Sequence, residues 1–406
     1  MNLAEGASMG MLEGKTVVLG VSGSISAYKS ANLASLLMKQ GARVRVVMTE
    51  AATKFISDLT FEALTHEKVP VGFAPEAVAA AREAGEGADA IIVAPLSANT
   101  AARLALGMSD DVVCAAVQAS SCPVLVSPAM NSNMLANAAT QANLDTLAAR
   151  GITVIPSASG VLACGAVGAG KLPPETTLRD YVIYACAGNK DLKGKHVLVT
   201  AGPTQESVDP VRYITNHSTG RMGFAIAKRA AMRGANVTLV AGKVNLETPL
   251  GVERVDIVSA QDMFEAVTSR APECDAIVKA AAVADYRPKT VASDKVKKKD
   301  GDMAIELERT QDILAWLGAH RIPGQRLCGF SMETRDVLEN SRAKLGRKNV
   351  DMICANCLKE DGSGFGTATN HLTLITRHGE VDLPLMDKEE AADRLLTELF
   401  AIEPLA

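Results

Sequence analysis

The chain has 406 residues, of which 48% are apolar and 22% are charged, and its 46 acidic and 42 basic side chains give a net charge of −4. This composition excludes a disordered or fibrous chain, and the length predicts two to three domains. Because the charge is slightly negative and aromatic residues make up 3%, the composition gives no reason to expect binding to nucleic acid or to a membrane.

The start of the chain predicts the compartment. Lys15 is the first cation, so no basic segment precedes an apolar one in the first fifteen residues. We therefore expect no secretory signal and a cytoplasmic protein, in which the eight cysteines are free thiols. The most apolar stretches, such as residues 90–95, are short and indicate buried strands rather than membrane spans.

The same succession of elements begins twice along the chain. Residues 12–19 and 192–199 each combine a short polar lead with an apolar strand, which runs into a turn and a helix. The helices end at Gly41 and Gly234, and a second strand follows each glycine. This β-turn-α-β pattern predicts an α/β protein with two doubly wound parallel sheets, and the polar stretch 187–191 divides it into domains at 1–190 and 191–406.

The turn after the first strand consists of small residues, Ser22, Gly23 and Ser24. Small side chains let backbone N–H groups approach an anion, and the start of the following helix offers further N–H groups. A nucleotide or flavin phosphate would fit there, and so would a plain tight turn. The turn lacks the full G-x-G-x-x-G fingerprint, and no acidic residue ends the second strand, so it does not indicate a dinucleotide.

Two more segments of the first half resemble binding motifs. Residues 165–171 nearly match a P-loop, but Leu172 replaces the magnesium-binding Ser or Thr and two prolines follow, so we predict a glycine-rich flap beside Cys164. Asn131 follows the buried strand at 124–126, where a doubly wound sheet places its ligands. It could bind a carboxylate or amide, although spacing alone favours a turn asparagine.

The second half contains a long polar segment at residues 209–223 that leads into a helix and could hold a phosphate or an oxyanion. The basic run that begins at Lys295 suits a solvated loop or, together with Asp285, a triphosphate and metal site. Cys354 and Cys357 form a C-x-x-C pair without a second pair at zinc spacing, which indicates coincidence.

Taken in order, these motifs resemble one family from about Leu12 onward: phosphopantothenoylcysteine decarboxylase fused to phosphopantothenate–cysteine ligase, the bifunctional enzymes of coenzyme A biosynthesis. Residues 95–100, 128–131 and 163–165 match the flavin half. The ligase half is matched by residues 201–204, 209–223, 281–287 and 348–349. The resemblance implies a flavodoxin-like flavoprotein domain followed by a Rossmann-like ligase domain.

For the first half, the resemblance implies FMN, with its phosphate on Ser22, Gly23 and Ser24. Two further residues, Ser97 and Asn99, would lie near the flavin. The flavin oxidises the substrate cysteine so that carbon dioxide leaves. Asn131 would hold the substrate carboxylate, and Cys164 would give the proton that completes the product.

For the second half, the resemblance implies that CTP activates the carboxylate of phosphopantothenate as an acyl-cytidylate, from which the amine of cysteine displaces CMP. Asn216 would steady the acyl intermediate, and Mg²⁺ would bridge the CTP phosphates. The residues expected to contact CTP are Lys279, Ala280, Ala281, Asp285, Lys295, Thr310, Gln311, Asp312, Ile313, Phe330, Lys344 and Lys348. The family also implies a homo-oligomer.

One stretch departs from the family pattern. Members carry a catalytic histidine motif shortly before the strand at 90–93, but residues 78–89 contain no histidine. His66, the one histidine of the first 190 residues, lies upstream in a segment that resembles a family turn. The alternative hypothesis is therefore a ligase whose flavin-binding half is catalytically degenerate, and a nucleotide-binding scaffold without chemistry is a third.

Overall fold

The computed structural model describes residues 10–161, 165, 167–188, 190–297, 304–333, 337–357, 364 and 366–404. The chain divides into two compact units, Met1–Ala187 and Gly188–Ala406, and each has its own sheet. Within the described residues, no helix has the length and apolar character needed to cross a membrane.

The first unit is built on a parallel sheet. Its strands are β1 (Thr16–Val21), β2 (Arg43–Met48), β3 (Ala90–Leu96), β4 (Val124–Pro128) and β5 (Thr153–Val154), followed by an antiparallel hairpin of β6 (Ala158–Val161) and β7 (Val167–Lys171). Its helices are α1 (Tyr28–Lys39), α2 (Asp58–Thr65), α3 (Pro75–Glu86), α4 (Ala98–Leu106), α5 (Val112–Ala119), α6 (Ser132–Ala136), α7 (Ala138–Ala149) and α8 (Glu175–Cys186).

The sheet of the first unit has the order β2-β1-β3-β4-β5, with all neighbours parallel. This is the flavodoxin order, so the predicted flavodoxin-like fold is confirmed. Every residue of β3 is buried, as expected for a central strand covered by helices on both faces. Gly85 of α3 packs so closely on α5 that a Cβ there would lie 2.1 Å from the Ala116 carbonyl oxygen.

The second unit contains the larger sheet. Its strands are β8 (His196–Ala201), β9 (Gln205–Ser207), β10 (Tyr213–Thr215), β11 (Asn236–Ala241), β12 (Val252–Asp256), β13 (Ala276–Lys279), β14 (Tyr286–Pro288), β15 (Leu307–Arg309), β16 (Arg326–Glu333), β17 (Met352–Cys357), β18 (Thr369–Thr376) and β19 (Gly379–Asp387). Its helices are α9 (Arg221–Met232), α10 (Ala260–Thr268), α11 (Ile313–Ala319), α12 (Val337–Arg347) and α13 (Lys388–Ala401).

Eight strands form the main sheet in the order β12-β11-β8-β13-β16-β17-β18-β19. The first six are parallel and follow the Rossmann order, which confirms the predicted doubly wound fold. The last two strands are antiparallel, a feature that the sequence analysis did not predict. Two small hairpins, β9–β10 and β14–β15, stand apart from this sheet.

Candidate active sites

The first candidate site lies at the carboxyl edge of β1 and β3, where the strand order of the first sheet reverses. The Ser22 hydroxyl is buried there, donates to the Pro95 carbonyl oxygen at 2.7 Å and accepts from the Ser97 N–H at 2.8 Å. Its role is therefore to join the two strand ends. This use of the side chain was not foreseen from the sequence, because it depends on a contact across 75 residues.

The turn beside Ser22 offers an anion site made of backbone. The N–H groups of Gly23 and Ser24 make no hydrogen bond to another described residue. A Cβ on Gly23 would lie 2.8 Å from the Cβ of Ala51, so only glycine fits at this position. The Ser24 and Ser26 hydroxyls lie 2.9 Å apart at the start of the next helical turn. The residues present therefore fit a flavin phosphate.

The other predicted flavin contacts lie on α4. The Ser97 hydroxyl caps this helix by accepting from the Thr100 N–H at 3.3 Å, and Asn99 is exposed in its first turn. Both residues follow β3 directly, so the structure brings them to the same sheet edge as Ser22.

Asn131 caps α6, since its side-chain oxygen accepts from the Asn133 N–H at 2.9 Å. The turn before it packs against β7: the Met130 N–H donates to the Gly170 carbonyl oxygen at 3.0 Å. A Cβ on Gly170, which has a φ of +120°, would lie 2.2 Å from the Met130 carbonyl oxygen. The predicted flap is thus the β6–β7 hairpin, held against the Asn131 turn, while Cys164 lies outside the described residues.

The stretch without the family histidine forms most of α3. Ala81, Ala84 and Gly85 are its buried residues and pack toward the core. His66 ends α2 with a left-handed backbone conformation, φ 56°, and so has a structural role as a helix cap.

The second candidate site lies where the strand order reverses between β8 and β13. The loops that leave these strands are tied together: the Ala282 N–H donates to the Gly202 carbonyl oxygen at 3.0 Å, and the Ala284 N–H donates to the Thr204 hydroxyl at 3.0 Å. The Ala281 N–H donates to the Thr200 hydroxyl at 3.1 Å. Thr200 near the end of β8 and Thr204 after it therefore fix the segment that the sequence analysis assigned to CTP.

Asn216 reaches the same loops. Its side-chain amide donates to the Ala282 carbonyl oxygen at 3.0 Å. Thr310 also bonds to the segment after β13. Its hydroxyl donates to the Ala284 carbonyl oxygen at 2.6 Å, and its N–H donates to the Asp285 carbonyl oxygen at 3.0 Å. Two predicted site residues far apart in the chain thus meet at one loop.

Three lysines converge beside this edge. Lys279 ends β13 in register with Gly329, the residue before Phe330. Burial lowers the pKa of Lys279 to about 8, and the charges of Lys344 and Lys348 lower it as well. The Lys344 ammonium donates to the Phe330 carbonyl oxygen at 2.9 Å. Such a cluster is costly unless an anion offsets the repulsion of its charges.

Asp312 is the carboxylate partner within the lysine cluster. It forms an ion pair with Lys348 and caps α11 by accepting from the Ala315 N–H at 2.9 Å. Partial burial opposes its ionisation, yet these two hydrogen bonds lower the pKa of Asp312 below its ordinary value. Gln311 is exposed beside it, and Ile313 is buried in the core.

The predicted lysine-rich loop is anchored by a residue that the sequence analysis did not single out. Asp209 is 2% exposed, and its carboxylate accepts from the Val296 N–H at 3.1 Å and from the Arg212 Nε at 3.0 Å. The Arg212 guanidinium, followed by backbone N–H groups, holds the pKa of Asp209 well below its usual range. Lys295, next to Val296, is exposed, while Lys298 and Lys299 lie outside the described residues.

The segment 209–223 ends in α9 as predicted. Gly220 precedes this helix with a φ of +77°, and no side chain caps it. A Cβ on Gly223 would lie 2.6 Å from the Cβ of Ala201, so glycine lets the first turn of α9 approach β8. The open N–H groups of α9 therefore face the same strand edge as the loops described above.

Not every titratable cluster belongs to these sites. Cys354 lies 3.5 Å, sulfur to sulfur, from Cys328 of the neighbouring strand, and burial raises its pKa, so it is an inert core thiol. Its C-x-x-C partner, Cys357, has its side chain outside the described residues. The described residues hold one group of three potential metal ligands, Asp110, Asp111 and Cys114, in the first unit.

Two family models match the chain. The model described as Flavoprotein matches residues 5–186, and the model described as DNA/pantothenate metabolism flavoprotein C-terminal domain matches residues 192–402.

Curated relatives match over nearly their whole length. The coenzyme A biosynthesis bifunctional protein CoaBC of Vibrio parahaemolyticus is 44% identical over 399 residues, which cover 96% of this chain and 99% of the relative. The protein of that name from Bacillus subtilis is 43% identical, and the match covers 97% of this chain and 98% of the relative. The one from Escherichia coli is 44% identical, and the match covers 96% of this chain and 97% of the relative.

Solved structures are similar to parts of the chain. The C-terminal domain of a CoaBC protein is 44% identical, covers 52% of this chain and 96% of its own, and has a TM-score of 0.45. A PPC decarboxylase mutant complexed with pantothenoylaminoethenethiol is 30% identical, covers 41% of this chain and 96% of its own, and has a TM-score of 0.37.

These findings confirm the resemblance that the sequence motifs indicated, and they favour the bifunctional interpretation over a ligase with a degenerate first half. The two family models together cover both units, and the relatives extend across both as well. The chain therefore belongs to the family of bifunctional coenzyme A biosynthesis proteins, CoaBC.

Proposed function

We propose that residues 191–406 perform the ligase reaction of this bifunctional enzyme and that residues 1–190 perform the decarboxylation. The ligase joins 4′-phosphopantothenate to cysteine, and the decarboxylase converts the resulting phosphopantothenoylcysteine to 4′-phosphopantetheine. The observation that supports this division most strongly is the position of Lys279 and Lys344. Lys279 ends β13 in register with Thr200 of β8 and Gly329 of β16. The Lys344 ammonium donates to the carbonyl oxygen of the next residue, Phe330. Cations at this position suit a nucleoside triphosphate.

In the ligase reaction, the carboxylate of phosphopantothenate attacks the α-phosphorus of CTP, pyrophosphate leaves, and an acyl-cytidylate forms. The amine of cysteine then attacks the acyl carbon, CMP leaves, and the amine loses a proton. No side-chain nucleophile is needed, so catalysis consists of positioning and charge stabilisation. The lysine cluster offsets the growing negative charge on the phosphates.

The remaining ligase residues orient the two substrates. Asn216, fixed by its bond to Ala282, steadies the acyl group at the loop that leaves β13. The open start of α9 holds the phosphate of phosphopantothenate, because its N–H groups and dipole favour an anion. Lys295, on the loop that Asp209 anchors at Val296, contacts the CTP phosphates.

Mg²⁺ would enter this site with the nucleotide, and the CTP phosphates would supply most of its ligands, as is usual for Mg²⁺. Asp285 is the exposed carboxylate beside the lysine cluster that would complete its coordination.

In the decarboxylase reaction, FMN would be held by the N–H groups of Gly23 and Ser24, with Ser97 and Asn99 near its ring. Bound FMN would take two electrons from the substrate thiol so that carbon dioxide can leave, and would return them to the product as it is protonated. Asn131 holds the substrate carboxylate, and Cys164 on the flap donates the proton that completes the product. The flap excludes water when it closes. The enzyme is proposed to be a cytoplasmic homo-oligomer.

The ligase assignment is tested by CMP release. Purified protein with CTP, Mg²⁺, phosphopantothenate and cysteine is expected to release CMP. Lys348→Met is expected to raise the KM for CTP. The control is Lys193→Met, which changes an exposed lysine outside the cluster and is expected to leave the KM for CTP unchanged. Absence of CMP release from the unaltered protein would exclude the assignment.

The decarboxylase assignment is tested with synthetic phosphopantothenoylcysteine and FMN-loaded protein. Phosphopantetheine is expected to form, and Cys164→Ser is expected to abolish its formation, whereas Cys122→Ser in the same unit retains it. No product from a preparation that still releases CMP would leave a ligase with a degenerate flavin domain.

A further inference from the structure

Lys388 is a buried lysine at the start of a helix. It is the first residue of α13 and is 7% exposed. Its ammonium donates to the Gly364 carbonyl oxygen at 3.0 Å and to the Thr367 carbonyl oxygen at 2.7 Å. Burial lowers the pKa of Lys388 to about 8, and the charge of Arg221 lowers it as well.

Arg221 holds the same loop from the opposite side. It is the first residue of α9, and its guanidinium donates to the Gly366 carbonyl oxygen at 2.8 Å. The described residues of this loop, Gly364, Gly366 and Thr367, thus connect the start of α13 to the start of α9. The Thr367 hydroxyl stiffens the loop by donating to the Gly364 carbonyl oxygen at 3.1 Å.

Helix docking does not account for Lys388. A cation at a helix N-terminus opposes the helix dipole, and burying it adds a desolvation cost. The packing of α13 on α9 is already provided by other ion pairs: Lys228 with Glu389 at 2.6 Å and Arg229 with Asp393 at 3.1 Å. The ammonium of Lys388 is directed instead to the loop carbonyl groups.

Within the described residues, both cations donate to neutral oxygen atoms of this loop, so Arg221 keeps its positive charge at the first turn of α9. The proposed function places the phosphate of phosphopantothenate at this turn. We propose that Lys388 is a positioning residue of the ligase, which fixes Gly364 and Thr367 so that Arg221, bonded to Gly366, is held at the start of α9 for recognition of the substrate phosphate. The inference rests on the proposed function.

The test compares a phosphorylated and a dephosphorylated substrate. CMP release by the full-length enzyme is measured with phosphopantothenate and with pantothenate, and the ratio of the two kcat/KM values is determined. For Lys388→Met, the ratio is expected to fall about tenfold, equivalent to about 1.4 kcal/mol, through a higher KM for phosphopantothenate. The KM for CTP is expected to be unchanged, and Lys388→Arg restores most of the ratio.

The matched control is Lys228→Met, which removes a cation from the interface of α9 and α13 without touching the loop. It is expected to leave the ratio at its original value. If Lys388→Met does not fold, Lys388→Gln, which retains an amide donor, is expected to show a smaller fall of the same sign.

Two results would overturn the inference, and they are distinguishable. Equal losses of kcat/KM on both substrates, or no loss on either, would show that Lys388 has only a structural role while the proposed function stands. An unaltered enzyme that releases no CMP, or that uses pantothenate as well as phosphopantothenate, would refute the proposed function or its phosphate site.

Discussion

At the scale of single residues, charge and burial determine how the ligase site responds to pH. Below pH 8, Lys279 is charged, and its burial beside two other lysines costs free energy. As the pH rises through about 8, Lys279 of the folded protein loses its proton, whereas Lys279 of the unfolded chain keeps its proton up to pH 10.5. The contribution of Lys279 to stability therefore increases between these pH values, whereas its contribution to binding an anion decreases.

We therefore predict that the KM for CTP increases as the pH rises from 7 to 9. Lys279→Met should raise the KM for CTP at pH 7 about tenfold, because loss of one charge-assisted contact costs about 1.4 kcal/mol. The variant should also lose the part of the pH dependence that arises from titration of Lys279. Steady-state CMP release across this pH range measures both effects. An unchanged pH profile in the variant would contradict the assignment of Lys279.

A second residue prediction concerns Asp209. The pKa of this carboxyl is held low in the folded protein, so its stabilising effect is present above the unfolded pKa of 3.8 and is lost as the pH falls below it. Asp209→Asn should lower the midpoint of thermal unfolding and should raise the KM for CTP, because the Lys295 loop loses its anchor at Val296. Calorimetry and CMP release test the two parts separately, and a stable variant with normal KM would contradict both.

At the scale of elements, the close approach of α9 to β8 determines where the open helix start lies. Gly223 makes this approach possible, and a methyl group there would meet both Ala201 and the Thr200 carbonyl oxygen, at 2.6 and 2.8 Å. The same dependence on glycine holds at Gly170, where the flap meets the turn before Asn131. Both sites are thus positioned by backbone contacts between elements.

We predict that Gly223→Ala destabilises the protein by about 1–3 kcal/mol and reduces CMP release, because overpacking displaces the start of α9. Its control is Gly346→Ala in α12, where no atom lies within 4 Å of the new methyl group and alanine favours the helix, so stability should rise slightly. Chemical denaturation of both variants gives the comparison. Equal stabilities would show that the α9–β8 contact can relax.

At the scale of the whole molecule, two units with separate sheets correspond to two reactions. Each site is built from residues of one unit, with the first at the edge of β1 and β3 and the second at the edge of β8 and β13. Domains with their own cores fold independently in general.

We predict that a fragment of residues 188–406 releases CMP at a rate close to that of the full chain. A fragment of residues 1–187 should bind FMN and show no CMP release, and flavin absorbance after gel filtration measures the binding. A 188–406 fragment that folds but is inactive would show that the ligase needs residues of the first unit.

The sequence by itself determined the two βαβ units, the parallel sheets and the positions of most candidate residues after strand ends. These follow from local patterns, because apolar runs, glycine turns and helix stops act over a few residues. Family motifs supplied the assignments to CTP and FMN. The absence of a histidine from residues 78–89 was also evident from the sequence, and the structure shows that buried alanines pack there.

Only the tertiary structure decided which of these groups meet. The Ser22 hydroxyl is used between two strand ends, Asp209 anchors the lysine loop, and Lys388 joins α13 to the start of α9. The antiparallel β18 and β19 were likewise unpredicted. The contacts of Ser22, Asp209 and Lys388 depend on partners that are distant in the chain, whereas β18 and β19 form a local hairpin that the sequence analysis missed. No local pattern encodes a distant contact, because its energy arises only when both partners are buried together.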